Sequence, residues 1–532
     1  MIGRAQFDTT RAAEAYGRGL WVDTTLADSL RAAAEISPRR TVLVDGDVRL
    51  DCATLYTRAR GLAAAMLSRT PPRSVVSFML PNWHEAAVIY LAATLAGMVV
   101  NPILPSLRDH DLRFILDDVE AAMIFVPHRF GGHDYAEMLE RVTAAMSASP
   151  EVVVLRADGE AGSHTPYAAL IEQDIGELPA LDPDAVRMVL YTSGTTGRPK
   201  GVLHSHNSIH ALICQLRDHW NIHSGDTFLV PSPIAHIGGS IYAFECPLLL
   251  GTTAVLMDRW DPAAAVALMI GERCTHMAGA TPFLQQLLSA AERAQTRLPD
   301  LKVFICGGAS VSPPLIRRAA LYFDRAVVTR VYGCTEVPVA TVGAPLWEEA
   351  GQAADTDGRC GIAEIKLVPH ETAPAGDGEI CVRGPQMLLG YRHPEDDVDS
   401  FDSAGFFRTG DLGRWVDDRY LVVTGRAKDV IIRNGENISA KEVEDLLAEH
   451  PGIAEIAVVG LPDERTGERA CAVIVPAGSV VPDVAGLLAL LQNKGVAKFK
   501  APEQVVIWDA LPKNDAGKIL KHRIRAVLTQ DG

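Results

Sequence analysis

Eleven consecutive residues, Tyr191-Thr-Ser-Gly-Thr-Thr-Gly-Arg-Pro-Lys-Gly201, carry the strongest chemical signal in the chain. They follow the apolar Met188–Leu190, so they form a loop at the end of a predicted strand. The small residues Ser193, Gly194, Thr195, Thr196 and Gly197 let a backbone approach phosphate oxygens, and successive N–H groups make an anion nest. The hydroxyls of Ser193, Thr195 and Thr196 add donors, and Lys200 adds a compact positive charge. The pattern is not a Walker loop: counted from Gly194, the Gly-Lys pair would fall at 199–200, and position 199 is proline.

Five further segments hold residues with chemical potential. Cys306-Gly-Gly-Ala-Ser310 follows the predicted strand Val303–Ile305. Val331-Tyr-Gly-Cys-Thr-Glu336 carries an aromatic, a hydroxyl and a carboxylate. Phe407-Arg-Thr-Gly-Asp411-Leu is followed by Gly425-Arg-Ala-Lys-Asp429, and Leu511-Pro-Lys-Asn-Asp-Ala-Gly-Lys518-Ile lies near the C-terminus. Taken singly, each has a plain alternative: a solvated turn for Thr335-Glu336, a salt bridge for Arg426, a solvated lysine for Lys518. Together and in this order they resemble the adenylate-forming superfamily of acyl-CoA synthetases, aryl-acid ligases, peptide-synthetase adenylation domains and beetle luciferases. The resemblance spans nearly the whole chain.

That resemblance implies a set of roles. The 191–201 loop cradles the phosphates of ATP. Gly308, Ala309 and Ser310 lie beside the adenine, with Ser310 where the family usually has proline. Tyr332 and Gly333 pack against the adenine, and Thr335 is near the α-phosphate. Glu336, with Thr195, holds Mg²⁺, a hard cation suited to such oxygens. Asp411 accepts hydrogen bonds from the ribose hydroxyls, and Arg426 assists. His236, in Pro233-Ile-Ala-His-Ile-Gly-Gly, is the gate between acid pocket and thiol tunnel. Lys518 neutralises charge as a carboxylate attacks the α-phosphate. Lys428 is a pivot that lets Gly435 and its neighbours, with Asn434 where the family often has a second glycine, replace Lys518 when coenzyme A enters. Lys494, Lys498 and Lys500 either meet coenzyme A phosphates or form a solvated basic face.

The elements expected to position these groups are α/β. Apolar runs at Val75–Leu80, Ala122–Val126, Val152–Leu155, Met188–Thr192, Thr227–Val230 and Val303–Cys306 alternate with helical stretches such as Thr54–Ser68 and Ala264–Glu272. This alternation predicts layered, largely parallel sheets. Ala86–Val100 predicts one buried helix, too short to span a bilayer. After Gly361, short strands between Gly, Asp and Pro turns predict an antiparallel subdomain. A boundary near Gly425–Asp429 precedes a small α+β unit, whose first helix should open with a capping box at Ser439–Glu442. The expected division is a large N-terminal domain over 1–425, a hinge over 426–429 and a mobile C-terminal domain over 430–532.

Bulk properties narrow the function. The composition, 48% hydrophobic and 22% charged, suits a soluble globular chain. A formal net charge of −16 argues against a general nucleic-acid or anionic-membrane partner. The nine cysteines include no C-x-x-C pair, so neither a disulfide framework nor a thiolate zinc site is expected. His204, His206 and His210 invite a zinc reading but lack a further ligand. No signal-peptide core or membrane span is visible, which predicts a cytoplasmic protein, with a homodimer compatible.

The acid pocket should involve parts of His236–Glu245, Gly307–Ser310 and Tyr332–Ala340. Ile234–Phe244 holds no carboxylate to pair with a substrate ammonium, so an amino acid is disfavoured. The expected activity is an ATP-dependent carboxylic acid–CoA ligase acting on a medium-chain, branched or alicyclic acid. The alternatives are an acyl-AMP ligase that loads carrier-protein pantetheine, a luciferase-like oxygenase, and a catalytically silent nucleotide or acyl binder.

Overall fold

Strands buried on both faces read as unbroken apolar runs, because helices cover each side of a parallel sheet. Val75–Phe78 and Val303–Cys306 are of this kind, buried at every residue. The computed structural model describes residues 9–157, 161–170, 177–192, 198–308, 311–323, 325–373, 376–433, 436–463, 465–478, 481–494, 496–514 and 517–530.

Among these residues, one sheet runs in the order Val327–Arg330, Val303–Cys306, His276–Gly279, Thr227–Val230, Thr253–Leu256, Thr41–Asp45 and Val48–Asp51. All neighbours pair in parallel except the last two strands. A second sheet has Val186–Thr192 parallel to Val99–Pro102 on one side and antiparallel to Lys200–Ser205 on the other. That antiparallel pairing sets Thr192 opposite Lys200, so the 193–197 loop joins two neighbouring strands. A third, fully antiparallel sheet is built from Glu364–Val368, Gly378–Arg383, Phe407–Val416 and Tyr420–Arg426. These mixed layers give the α/β class that the alternation predicted.

The run over 86–100 is not one helix. The helix spans His84–Leu95, and Gly97 takes φ +64° in the turn that follows. The chain re-enters the sheet as Val99–Pro102. Left-handed backbone at Gly97 ends the helix where hydrophobicity alone would have continued it.

Beyond residue 430, alternation with period two divides one sheet between two cores. Ile456 and Val458 pack with the helices Ala440–Leu447 and Val484–Asn493. Ala457 and Val459 pack with Ile524 of the helix Lys521–Gln530. Ser439 caps Ala440–Leu447 by accepting from Glu442 N at 3.2 Å. The reciprocal half of the expected capping box is replaced, because the Glu442 carboxylate binds Lys500 Nζ at 2.7 and 2.8 Å. Among the described residues, Ser439 Oγ donates to Thr424 O, Asn437 Nδ2 donates to Glu371 O at 3.2 Å, and Arg525 pairs with Asp429, all reaching from this part to the rest. Among the described residues, no helix is long and apolar enough to cross a membrane.

Candidate active site

Four adjacent parallel strands of the first sheet end on one edge, and ligands of open α/β sheets bind beyond such carboxyl ends. The segments leaving that edge are Val331–Glu336, Gly307–Gly308, Ala280–Pro282 and Pro231–His236, in spatial order. Three of the four were marked by sequence. The strand order explains how residues so far apart in the chain come together.

The third sheet adds the carboxylate. Antiparallel register sets Asp411 directly opposite Arg426, and cross-strand partners are close enough to interact. Arg426 Nε reaches Asp411 Oδ1 at 2.8 Å, and the Tyr332 phenol donates to Oδ2 at 2.8 Å. Burial, with Asp411 adding to it, pushes the Tyr332 phenol well above its ordinary range. Asp411 N also donates to Thr409 Oγ1 at 3.0 Å.

Lys518 arrives from the small C-terminal part. A tight turn holds it: Lys518 N donates to Asn514 Oδ1 at 2.8 Å, Asn514 N to Lys518 O at 2.9 Å, and Gly517 N to Asn514 O at 2.8 Å. Gly517 has φ +78°, and a Cβ there would sit 3.3 Å from Pro282 Cγ. Glycine therefore serves both the left-handed turn and its seat on Ala280–Pro282. Burial lowers the Lys518 pKa, the Arg426 charge lowers it further, and Asp411 opposes both. Lys428, in the short 3₁₀ turn Ala427–Asp429, is likewise lowered by burial and by Arg426.

Glu336 accepts from the Tyr391 phenol at 2.9 Å, and Leu388 N donates to Glu336 O at 2.7 Å. Gly333 and Thr335 lie between Tyr332 and Glu336, and the Thr335 carbonyl faces His204 Nε2 at 2.8 Å. Lys200 Nζ is 3.4 Å from Asp396 and 4.9 Å from the Tyr391 ring centroid. His236 caps the turn Ile237–Ser240, and its Nε2 is shielded without a hydrogen-bond partner. Burial lowers its pKa, so the ring is neutral at pH 7. Behind it, Gly239 packs so closely that a Cβ would lie 2.1 Å from Pro233 O.

The structure thus gathers Tyr332, Asp411, Arg426, Lys428 and Lys518 into one cluster, with Glu336, Lys200 and Gly308 on neighbouring segments. Ser193, Gly194, Thr195, Thr196, Gly197, Ala309, Ser310, Asn434 and Gly435 lie outside the described residues. The three histidines do not converge on a metal: His204 serves Thr335, His206 Nδ1 accepts from Leu26 N at 3.3 Å, and His210 Nδ1 faces Leu20 O at 2.9 Å.

Sequence reasoning missed several supporting residues. Asn82 fastens the Pro231–Ile234 segment, donating to Val230 O and Ser232 O and accepting from Ile234 N at 2.9–3.0 Å. It also lines a cavity of about 280 Å³ beside Pro233, with Arg108, Phe130 and Asp258. Glu245 closes a π-helical turn, Ile241–Glu245, and pairs with buried Arg187 while accepting from Tyr90 Oη at 2.6 Å. Nothing in local spacing announces contacts between residues 58 and 155 positions apart.

An edge of parallel strands, a carboxylate held by tyrosine and arginine, and a lysine delivered by the C-terminal part fit an adenylate-forming enzyme. The chain belongs to the AMP-binding enzyme family. Residues 30–392 match the AMP-binding enzyme model, and residues 442–518 match the AMP-binding enzyme C-terminal domain. It is 34% identical to a medium-chain fatty-acid–CoA ligase of Escherichia coli K12, over 99% of this chain and 95% of that protein. It is 33% identical to a CoA ligase of Rhodococcus jostii named for a methyl-dioxo-octahydro-indenyl propanoyl group, over 94% and 98%. The ATP-bound crystal structure of MatB from Rhodopseudomonas palustris superposes with a TM-score of 0.82 at 27% identity, covering 96% of this chain and 100% of that one.

Proposed function

We propose that this chain is an ATP-dependent carboxylic acid–CoA ligase that works through an acyl-adenylate and releases pyrophosphate and AMP. The single observation that carries this is the seating of the Gly517-Lys518 turn against Ala280–Pro282, at the strand edge where the Tyr332, Asp411 and Arg426 cluster lies. In the first half-reaction the substrate carboxylate attacks the α-phosphorus of ATP, the bond to the β-phosphate breaks, and pyrophosphate leaves. Lys518 stabilises the negative charge that gathers on the α-phosphate oxygens. Asp411, fixed by Tyr332 and Arg426, receives the ribose hydroxyls. In the second half-reaction a thiol attacks the acyl carbon and AMP departs.

Glu336 fits a hard cation, because it offers a carboxylate held in place by the Tyr391 phenol. Mg²⁺ bound there would neutralise phosphate charge. Thr195 is the other proposed ligand. The proposed domain division keeps 1–425 as the body, 426–429 as hinge and 430–532 as the moving part. The lysine-in orientation supports adenylation as the state at hand.

For the acid, the apolar character of Ile234–Phe244 supports a medium-chain, branched or alicyclic substrate. Glu245 stands one residue beyond that run, but Arg187 already neutralises it. A substrate ammonium would thus find no unclaimed partner there and would lose several kcal/mol by burial. The names of two relatives, one for medium-chain fatty acids and one for a fused-ring propanoyl group, agree with this range. A panel of acids assayed for pyrophosphate release with and without coenzyme A tests the whole proposal. Release that depends on such acids, with acyl-CoA as product, is expected. Turnover with carrier-protein pantetheine and none with coenzyme A would reassign the acceptor, and no release with any acid would leave only a binding protein.

A further inference from the structure

One short segment, residues 390–397, holds both stems of the 193–197 loop. On the incoming side Tyr191 donates its phenol to Asp118, whose other oxygen binds His393 Nε2 at 2.5 Å. On the outgoing side Asp396 receives Arg198 Nη2 at 2.8 Å and Lys200 Nζ at 3.4 Å. The segment cannot drift from these stems. Tyr391 and Gly390 pair in register with Val202 and Leu203, and Arg392 N donates to Gly201 O at 2.7 Å. The same segment touches the proposed metal carboxylate, since Tyr391 lies under Lys200 and donates to Glu336.

Asp396 is well enclosed, its side chain only 12% exposed, whereas its partner Arg198 is 39% exposed. Two cations at the mouth of a phosphate loop therefore begin with a carboxylate partner. A triphosphate brings more charge and more acceptor oxygens than one carboxylate, and it competes for the same donors. We propose that Asp396 is the resident counter-ion of the phosphate loop: ATP draws Arg198 and Lys200 away from it, and it reclaims them as pyrophosphate leaves. Asp396 is thus a positioning residue, acting through two side chains, and it opposes retention of the first product. This rests on the adenylation reading above.

The test is Asp396→Asn, which keeps the shape and removes the charge. KM for ATP is measured by ATP–pyrophosphate exchange, and Ki for pyrophosphate is measured against ATP. Without the competitor, Ki for pyrophosphate should fall about fivefold, the scale of a partly exposed ion pair, and KM for ATP should fall with it. Asp396→Glu should restore values near the parent. Structural damage would move both constants upward instead. In an Arg198→Gln background the effect of Asp396→Asn should shrink, because one of its two clients is gone. Asp396→Ser gives the same readout should the asparagine variant not fold. Normal exchange with an unchanged or raised Ki in the folded variants overturns the counter-ion role alone. Absence of exchange in the parent chain with every acid overturns the adenylation reading and the counter-ion role together.

Discussion

The Tyr332 phenol and the Arg426 guanidinium divide the two oxygens of Asp411 between them, Tyr332 taking Oδ2 at 2.8 Å. A carboxylate held at both oxygens is fixed in orientation before any ribose arrives. On its proposed role, Asp411→Asn exchanges charged hydrogen bonds, worth roughly 1.5–3 kcal/mol, for weaker neutral ones. KM for ATP should rise by about tenfold or more in a pyrophosphate-release assay. Tyr332→Phe should raise it by less, since Arg426 remains. An Asp411→Asn enzyme with the parent KM would remove the ribose assignment.

In its proposed role, Lys518 must be cationic to stabilise the charge that gathers on the α-phosphate in the transition state. Its pKa is lowered from the ordinary 10.5 by burial and by Arg426. On that proposal the working form is the protonated one, present below that depressed pKa and lost as pH rises through it. Adenylation should therefore show an alkaline limb that begins earlier than a free lysine would give. Lys518→Arg should move that limb upward, because guanidinium stays charged. Lys518→Ala should reduce adenylation by about two orders of magnitude or more, yet still pass supplied acyl-adenylate to coenzyme A. Equal collapse of both half-reactions in a folded variant counts against the assignment.

Lys428 sits in a 3₁₀ turn, where φ is near about −60°. Proline shares that φ and resists leaving it. Lys428→Pro should thus accept the lysine-in orientation and block the other. First-turnover pyrophosphate release should stay near the parent rate while thioester formation falls far below it. Acyl-CoA made at the parent rate by a folded Lys428→Pro chain would end the pivot proposal.

The buried pair of Arg187 and Glu245 predicts a stability effect without any claim about catalysis. Glu245→Leu leaves a guanidinium buried and uncompensated, a loss of about 3–5 kcal/mol. Adding Arg187→Met should recover most of it, because apolar replacement of a whole buried pair is often neutral. Urea unfolding midpoints decide the matter: a double variant no more stable than Glu245→Leu would refute the pairing energetics.

The sequence made much of this legible, and the failures have physical causes. Asp411, Arg426 and Lys518 stand in motifs dense enough to be recognised; the antiparallel register then explains why the first two meet, and the Gly517 turn against Pro282 why the third joins them. The turn at Gly97 was hidden inside an apolar run, since burial in a helix and burial in a sheet need the same residue types. Ser439 was found as a cap, while the partner of Glu442 was not, because Lys500 lies 58 positions away. Asp396 was invisible for a similar reason: an Asp-Asp pair in a loop looks solvated until Gly390 and Tyr391, a few residues earlier, are seen laddered to the strand that follows residues 193–197.

The seam between the two parts has consequences for control. Ser439 and Asn437 each cross it with one hydrogen bond to a backbone carbonyl. Such bonds are worth about 1 kcal/mol apiece net of water. A population moves from one-sided to oppositely one-sided for roughly 5.5 kcal/mol of differential affinity. With the partly exposed Arg525–Asp429 pair beside them, worth at most about 1 kcal/mol more, these contacts fall short of that figure and act as a detent rather than a lock. The ligand in the site, and not the joint, would then be the thing that keeps time.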